Sequence, residues 1–223
     1  MLAVLRRTEM KEVPNSLADK RPYVIKRFLL TRDLLLESNP ENILDIGCND
    51  GLLLSLLSQG IEKHGIDLVE QPQLFENTMD YMKHDVSTGL PYADGTFDVV
   101  NSSEVIEHLT DTESFLQECY RVLKPGGRIV ISTPNLHYWR DIIEWLKGNQ
   151  FFFVDYHKHQ EGHVRYFCSS TLRELARNVG FQNIQTFTVG DWGGKSILLQ
   201  FIAEMFEKFS RTKNLIIFMR AEK

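Results

Sequence analysis

Apolar positions along the chain change their period near residue 41. Before it, "RPYVIKRFLLTRDLLLESNP" repeats at helical spacing and reads as one amphipathic helix halted by Pro40. From Asn42 to Thr133, short apolar runs alternate with helical patterns, the arrangement of βαβ units and hence of a parallel sheet. The runs "NILDIG", "KHGIDL", "YMKHD", "FDVVNSS" and "GRIVIST" are the strand candidates. Between the last two, "TDTESFLQECYRVLKPGG" places Phe115, Leu116, Cys119, Val122 and Leu123 on one helical face, with Pro125, Gly126 and Gly127 as the stop. After an irregular stretch, "CSSTLRELARNVG" reads as a helix capped by Ser169 or Ser170 and ended by Gly180. Two more strands, "NIQTFTVG" and "NLIIFMR", flank a helix containing "ILLQFIAEMFEKF". The pattern predicts an α/β fold: a doubly wound seven-stranded sheet with helices on both faces, mostly parallel, with an antiparallel C-terminal edge strand.

Composition narrows the functional classes. With 223 residues and 43% apolar content the chain can bury one substantial core, and one domain with embellishments is expected. A net charge of −5, with no basic arm or stripe, argues against nucleic acid as a partner. No window holds the roughly 18 apolar residues of a spanning helix, and "MLAVLRRTEM" is too short for a signal peptide. Cys48, Cys119 and Cys168 lie far apart without CxxC spacing, which fits a reducing compartment, so a cytoplasmic protein is expected.

The first strand-to-helix turn is "ILDIGCNDG", Ile43 to Gly51. In a doubly wound sheet a ligand lies beyond the carboxyl ends of the strands, beside this turn. Gly47 lets the chain reverse without a side chain in the ligand's way, and Gly51 lets the next helix approach closely. A pyrophosphate cradle calls for G-x-G-x-x-G, but here the three positions are Gly47, Asn49 and Leu52. Asp45 and Asp50 would repel a pyrophosphate at close range and suit a ligand carrying cations, such as the ammonium and sulfonium of S-adenosylmethionine. Asp67 ends the second strand, where an acid can accept the protons of two ribose hydroxyls. Asp85 ends the third, placed to meet an adenine amino group. Asn49 replaces a loop glycine, and asparagine is among the least strained non-glycine residues at positive φ. It is therefore expected in a left-handed or similarly permissive conformation with its backbone near the cofactor.

Five motifs in order, "ILDIGCNDG", "HGIDLVE", "HDVSTGLPYADGTFDVV", "EVIEHL" and "RVLKPGGRIVISTPN", resemble the class I S-adenosylmethionine-dependent methyltransferases over residues 42–135. "EVIEHL" is similar to the small-molecule O-methyltransferases of quinone biosynthesis, and "DVSTGLPYADGTFDVV" to the methionine-biosynthesis-associated methyltransferase group. The resemblance implies a Rossmann-like fold with S-adenosyl-L-methionine as cofactor and S-adenosyl-L-homocysteine as its product. It implies Asp45 and Gly47 near the methionine part and Asp67 on the ribose, with Cys48, Asn49, Gly51 and Leu68 also against the cofactor. Asp85 and Val86 would frame the adenine. Ser102, Ser103 and Glu104 would face the methionine and substrate side, and Arg27 the cofactor carboxylate. The matching division of the chain is an N-terminal helical cap (1–40), a cofactor-binding core (41–135), a substrate-cap insertion (136–168) and the C-terminal part of the sheet (169–223).

Methyl transfer from a sulfonium asks the protein mainly for alignment and exclusion of water, and a base only where the acceptor must lose a proton. The base candidates are His108, His137 and His163. Glu104, Glu107 and His108 form an E-x-x-E-H cluster for which a divalent metal is chemically open; the simpler reading is a polar helix start whose His108 lines the pocket, with no metal. His157, His159 and His163 in "YHKHQEGH" match no standard zinc site and fit a cap over the substrate, near the apolar Phe151, Phe152 and Phe153. The stripe Leu198, Phe201, Ile202, Met205, Phe206 and Phe209 reads as core packing, with a homodimer or membrane-surface contact as its other use. The expected function is methyl transfer to a small-molecule acceptor, at oxygen. The alternative is a non-catalytic or regulatory binding protein on the same fold, and a nicotinamide-dependent oxidoreductase is disfavoured by the missing glycines.

Overall fold

The computed structural model describes residues 22–70, 79–138, 142, 145–148, 162–189 and 216–223. Helix α1 (Pro22–Leu36) is followed by β1 (Asn42–Ile46), the short α2 (Leu52–Ser55), β2 (Glu62–Asp67) and β3 (Asp80–Lys83). Then come β4 (Phe97–Ser103), α3 (Thr112–Val122), β5 (Leu123–Pro134), α4 (Ser169–Val179), β6 (Gln182–Val189) and β7 (Ile216–Glu222), with single 3₁₀ turns at Val86–Thr88 and Ile106–His108. One seven-stranded sheet has the order β3-β2-β1-β4-β5-β7-β6. β1 to β5 pair in parallel, and β7 runs antiparallel to both β5 and β6. The antiparallel region thus lies at the expected side of the sheet, with β7 slotted between β5 and the outermost β6. Strand order reverses between β1 and β4, and the crevice beyond their carboxyl ends is where such a sheet receives a ligand.

Alternation along the strands divides the core into two layers. Ile43, Val99, Val130 and Phe218 pack with Leu30, Leu34 and Leu35 of α1 and Leu53 and Leu54 of α2. Leu44, Val100, Ile129, Ile131 and Met219 face the other way, onto Phe115, Leu116, Cys119 and Val122 of α3 and Leu172 and Ala176 of α4. Helices therefore cover both faces, as the apolar pattern anticipates. Two local details differ from expectation. α3 ends at Val122 and the chain turns straight into β5, ahead of the Pro125 to Gly127 stop. The cap of α4 is Cys168, whose N–H donates to Thr171 Oγ1 at 3.0 Å, while Ser169 and Ser170 lie inside the helix. The cause is tertiary: Phe167 is held in a bridge to Asn135, so extended backbone persists through Cys168.

The three cysteines are buried free thiols. No helix among the described residues is long and apolar enough to cross a membrane. The apolar stripe from Leu198 to Phe209, together with His157, His159 and Phe151 to Phe153, lies outside the described residues.

Candidate ligand site at the carboxyl edge of the sheet

The turn after β1 is built by backbone conformations that few side chains tolerate. Gly47 has φ 72°, and a Cβ there would stand 2.3 Å from Val105 Cγ2, so glycine is needed both for the turn and for close approach. The N–H groups of Gly47 and Cys48 donate to Ile66 O at 2.8 and 3.3 Å, folding the loop over the end of β2. Asn49 adopts φ 46°, the left-handed conformation expected of it, and its N–H donates to Asp67 Oδ2 at 2.8 Å. Gly51, at φ 76°, starts α2. Asp67 Oδ1 accepts from the N–H groups of Leu68 and Val69 at 2.7 and 3.3 Å. One carboxylate at the end of β2 therefore organises the loop on either side of it.

A cavity of about 910 Å³ opens over this edge. Arg27, Asp45, Gly47, Cys48, Asn49, Asp67, Leu68, Asp85, Val86, Ser103, Glu104 and His108 all line it, along with Val24, Phe28 and Thr31 from α1. Gly51 and Ser102 stand behind this wall. Ser102 is fully buried because it falls between Asn101 and Ser103 in the strand alternation and points to the opposite face. His137 and His163 are not in the wall either, although Gly162 and Val164, on both sides of His163, are. His137 donates its main-chain N–H to Asn135 Oδ1 at 3.1 Å.

The wall is acidic, and the surroundings of Asp45 and Asp85 shift their carboxyls in opposite directions. Asp45 is 2% exposed and accepts from Asn101 Nδ2 at 2.6 Å. Burial pushes its carboxyl up to about 7, against the lowering effect of the Asn101 amide, and Asp67 adds to the rise. Burial, with the charge of Asp45, also raises the Cys48 thiol, keeping it protonated and unreactive. Asp85 moves the other way: it caps the 3₁₀ turn by accepting from Ser87 N–H at 2.9 Å, and the Ser87 hydroxyl first, then this N–H, lower its carboxyl.

The far side of the cavity has a different character. Glu104, directly after β4, holds φ 58°, unusual for a residue with a side chain. Its Oε1 accepts from Ser132 Oγ at 3.0 Å and its Oε2 stands 3.5 Å from Arg27 Nη1, across the cavity on α1. Burial raises the Glu104 carboxyl, with Arg27 opposing. Glu107 is 1% exposed; Thr133 Oγ1 donates to its Oε2 at 2.9 Å, and its Oε1 has no partner among the described residues. Burial first, then the charge of Glu104, pushes its carboxyl up to about 8. The Glu107 carbonyl accepts from the N–H groups of Val164 and Arg165 at 2.9 and 3.0 Å, which pins the 162–168 segment over the cavity. The His163 ring consequently meets that of His108 edge to face, with centroids 4.8 Å apart. Burial, and then His108, lowers the His163 imidazole.

Glu107, His108 and His163 present ligand atoms within 4.8 Å of one another, so His163 stands where the sequence suggested Glu104 as the third donor. Sequence reasoning missed the contributions of Asn101, Val105 and Thr133. The first was readable as a polar residue at an apolar strand position; the other two belong to contacts between distant segments.

Comparison with known proteins bears on this geometry. A family model described as a methyltransferase domain matches residues 17–186. The ubiquinone biosynthesis O-methyltransferase of Idiomarina loihiensis is 32% identical over 117 residues, covering 48% of this chain and 46% of that protein. Its counterpart in Pseudomonas aeruginosa is 36% identical over 104 residues, covering 43% and 45%. The match therefore spans just under half the length of these curated relatives. A solved structure of a SAM-dependent methyltransferase from Archaeoglobus fulgidus superposes with a TM-score of 0.63 at 22% identity, covering 90% of this chain and 94% of that one, and shows the same fold.

Proposed function

We propose, from the premise that this chain belongs to the methyltransferase-domain family, that it transfers a methyl group from S-adenosylmethionine to an oxygen of a small molecule. The observation that carries this reading is one acid at the end of each of three successive strands, Asp45, Asp67 and Asp85, around a single cavity. Such a wall repels phosphate and receives a cationic, phosphate-free nucleoside. The glycine cradle at Gly47 and the 910 Å³ volume fit that group with room for a small acceptor.

In this reading Asp67 accepts from the ribose hydroxyls, Asp85 and Val86 frame the adenine, Asp45 and Ser103 meet the methionine end, and Arg27 receives its carboxylate. Bound there, S-adenosylmethionine would supply an electrophilic methyl on sulfur, with the neutral thioether as its product. His108 would take the proton of the acceptor hydroxyl as that oxygen receives the methyl. The N-terminal helix and the 162–168 segment exclude water from that side. The relatives named as O-methyltransferases support oxygen as the nucleophile.

Calorimetric titration with S-adenosylhomocysteine tests the cofactor assignment, with NAD as the control. Binding of the first and not the second is expected; the reverse would overturn the reading. His108→Ala should then lower turnover by about 100-fold or more while leaving cofactor affinity within about threefold. Binding without turnover against any hydroxylated acceptor would favour a non-catalytic binding protein.

One observation favours a second reading of the same side. The unpartnered, buried Glu107 Oε1 beside His108 and His163 offers the mixed donors a divalent cation takes, and the cation would polarise the acceptor oxygen. Loss of turnover on chelation, restored by magnesium or zinc, would establish it.

A further inference from the structure

Asn101 is a primary amide at the centre of β4, fully buried and preceded in the strand by Val99 and Val100. Packing would be served there by another valine or a leucine, and an unsatisfied buried amide costs about 1–3 kcal/mol. Among the described residues its hydrogen-bond partners are polar groups of the cavity wall. Its Nδ2 donates to Asp45 Oδ1 at 2.6 Å and to Ser103 Oγ at 3.3 Å, and its Oδ1 accepts from Ser103 Oγ at 3.3 Å. Asp45 and Ser103 line the cavity, whereas Asn101 does not.

We propose that Asn101 is a positioning residue for the cofactor: its amide holds the Asp45 carboxylate and the Ser103 hydroxyl in the orientation in which they meet the ligand's cationic end. The inference rests on the reading of the cavity as an S-adenosylmethionine site. By engaging Oδ1, the amide leaves Asp45 Oδ2 for the ligand and supports the ionised carboxylate. Among the described residues, the titratable groups that act on Asp45 or feel its charge are Asp67 from the end of β2 and Cys48 from the loop. Neither of them is a cation. Without Asn101, desolvation and the neighbouring Asp67 act unopposed, and Asp45 holds its proton to higher pH.

Two measurements test this. Calorimetry with S-adenosylhomocysteine on Asn101→Leu, relative to wild type at each pH, should show affinity about tenfold or more weaker near pH 7, with most of the deficit recovered near pH 9. In the ligand-free protein, the Asp45 carboxyl carbon followed by NMR should titrate at higher pH in the variant. A folded variant with wild-type affinity near pH 7, or an equal deficit at both pH values with an unmoved titration, would overturn the proposal. Asn101→Ser, which retains a short donor, replaces Asn101→Leu should the latter fail to fold, and the same readings decide. If wild type itself ignores S-adenosylhomocysteine, the cofactor reading falls; the NMR titration still reports whether Asn101 governs the Asp45 carboxylate.

Discussion

Two acids at the carboxyl edge of one sheet, Asp67 and Glu107, have opposite surroundings. Asp67 sits at the mouth of the cavity, its two oxygens met by three backbone N–H groups from Asn49, Leu68 and Val69. Glu107 is sunk below the surface with one hydroxyl donor from Thr133, one unpartnered oxygen and a neighbouring acid, and it is pushed up to about 8. Residue type alone makes them equivalent. The number of donors the local backbone can aim at each carboxyl separates one held in place by its neighbours from one that burial leads to keep its proton.

The comparison extends to the elements that carry the two acids, and it can be broken there. The largest effect is expected at Gly47, on which the binding side depends. Gly47→Ala combines a left-handed φ with a 2.3 Å approach to Val105 Cγ2, so a loss of about 3 kcal/mol in denaturant-monitored stability is expected. Adding Val105→Ala should return part of it, and no return would show that φ alone is at fault. Asp67→Ala removes the acceptor of three backbone donors as well as the proposed ribose contact. Cofactor affinity should fall about 100-fold, equivalent to ~2.7 kcal/mol; a loss below about threefold in calorimetry would remove Asp67 from the binding role.

Glu107 gives the third test, through pH. Its folded carboxyl titrates near 8, above the ordinary glutamate value of 4.5. Across that window the folded protein keeps a proton that the unfolded chain has released, so this group makes stability fall as pH rises, with its full penalty above about 8. Glu107→Gln deletes that slope. Melting temperature of the variant relative to wild type should rise steadily from pH 5 to 9; parallel curves would place the Glu107 titration elsewhere. Asp45, near 7, contributes a slope of the same sign over a lower window, and this persists in the variant. The smallest effect belongs to Asn49. Asn49→Gly should change stability by less than about 1 kcal/mol, since both residues accept φ 46°, whereas Asn49→Val should cost about 1–2 kcal/mol and weaken the cofactor. Equal stability of the two variants would mean that the left-handed turn is not required.

The Asp67 side was the more legible of the two. Its residues lie at strand ends and in one turn, where position relative to a strand end determines what a side chain faces. Asp45, Asn49, Asp67 and Asp85 could be placed from spacing alone for that reason. Ser102 went to the wrong side of the wall because strand alternation permits only every second residue to face it, and the parity is settled by Asn101 and Ser103 pairing on one face. The Glu107 side depends on a meeting between residues 104–110 and 162–168, through Glu107 O and the N–H groups of Val164 and Arg165. No local pattern announces that contact, so three histidines stood as equals until the fold put His108 in the wall, His163 against it and His137 out of the wall.

What the chain determined by itself was whatever short-range sterics and period enforce: seven strands, a glycine turn closed to phosphate, an asparagine able to sit at positive φ, and acids at three strand ends. What only the tertiary structure decided was long-range: β7 between β5 and β6, Cys168 rather than a serine as the cap of α4, and the ionisation of Asp45 and Glu107. The reason is that conformation at a turn depends on a residue and its neighbours, whereas desolvation and hydrogen-bond supply depend on segments that sequence separation keeps far apart.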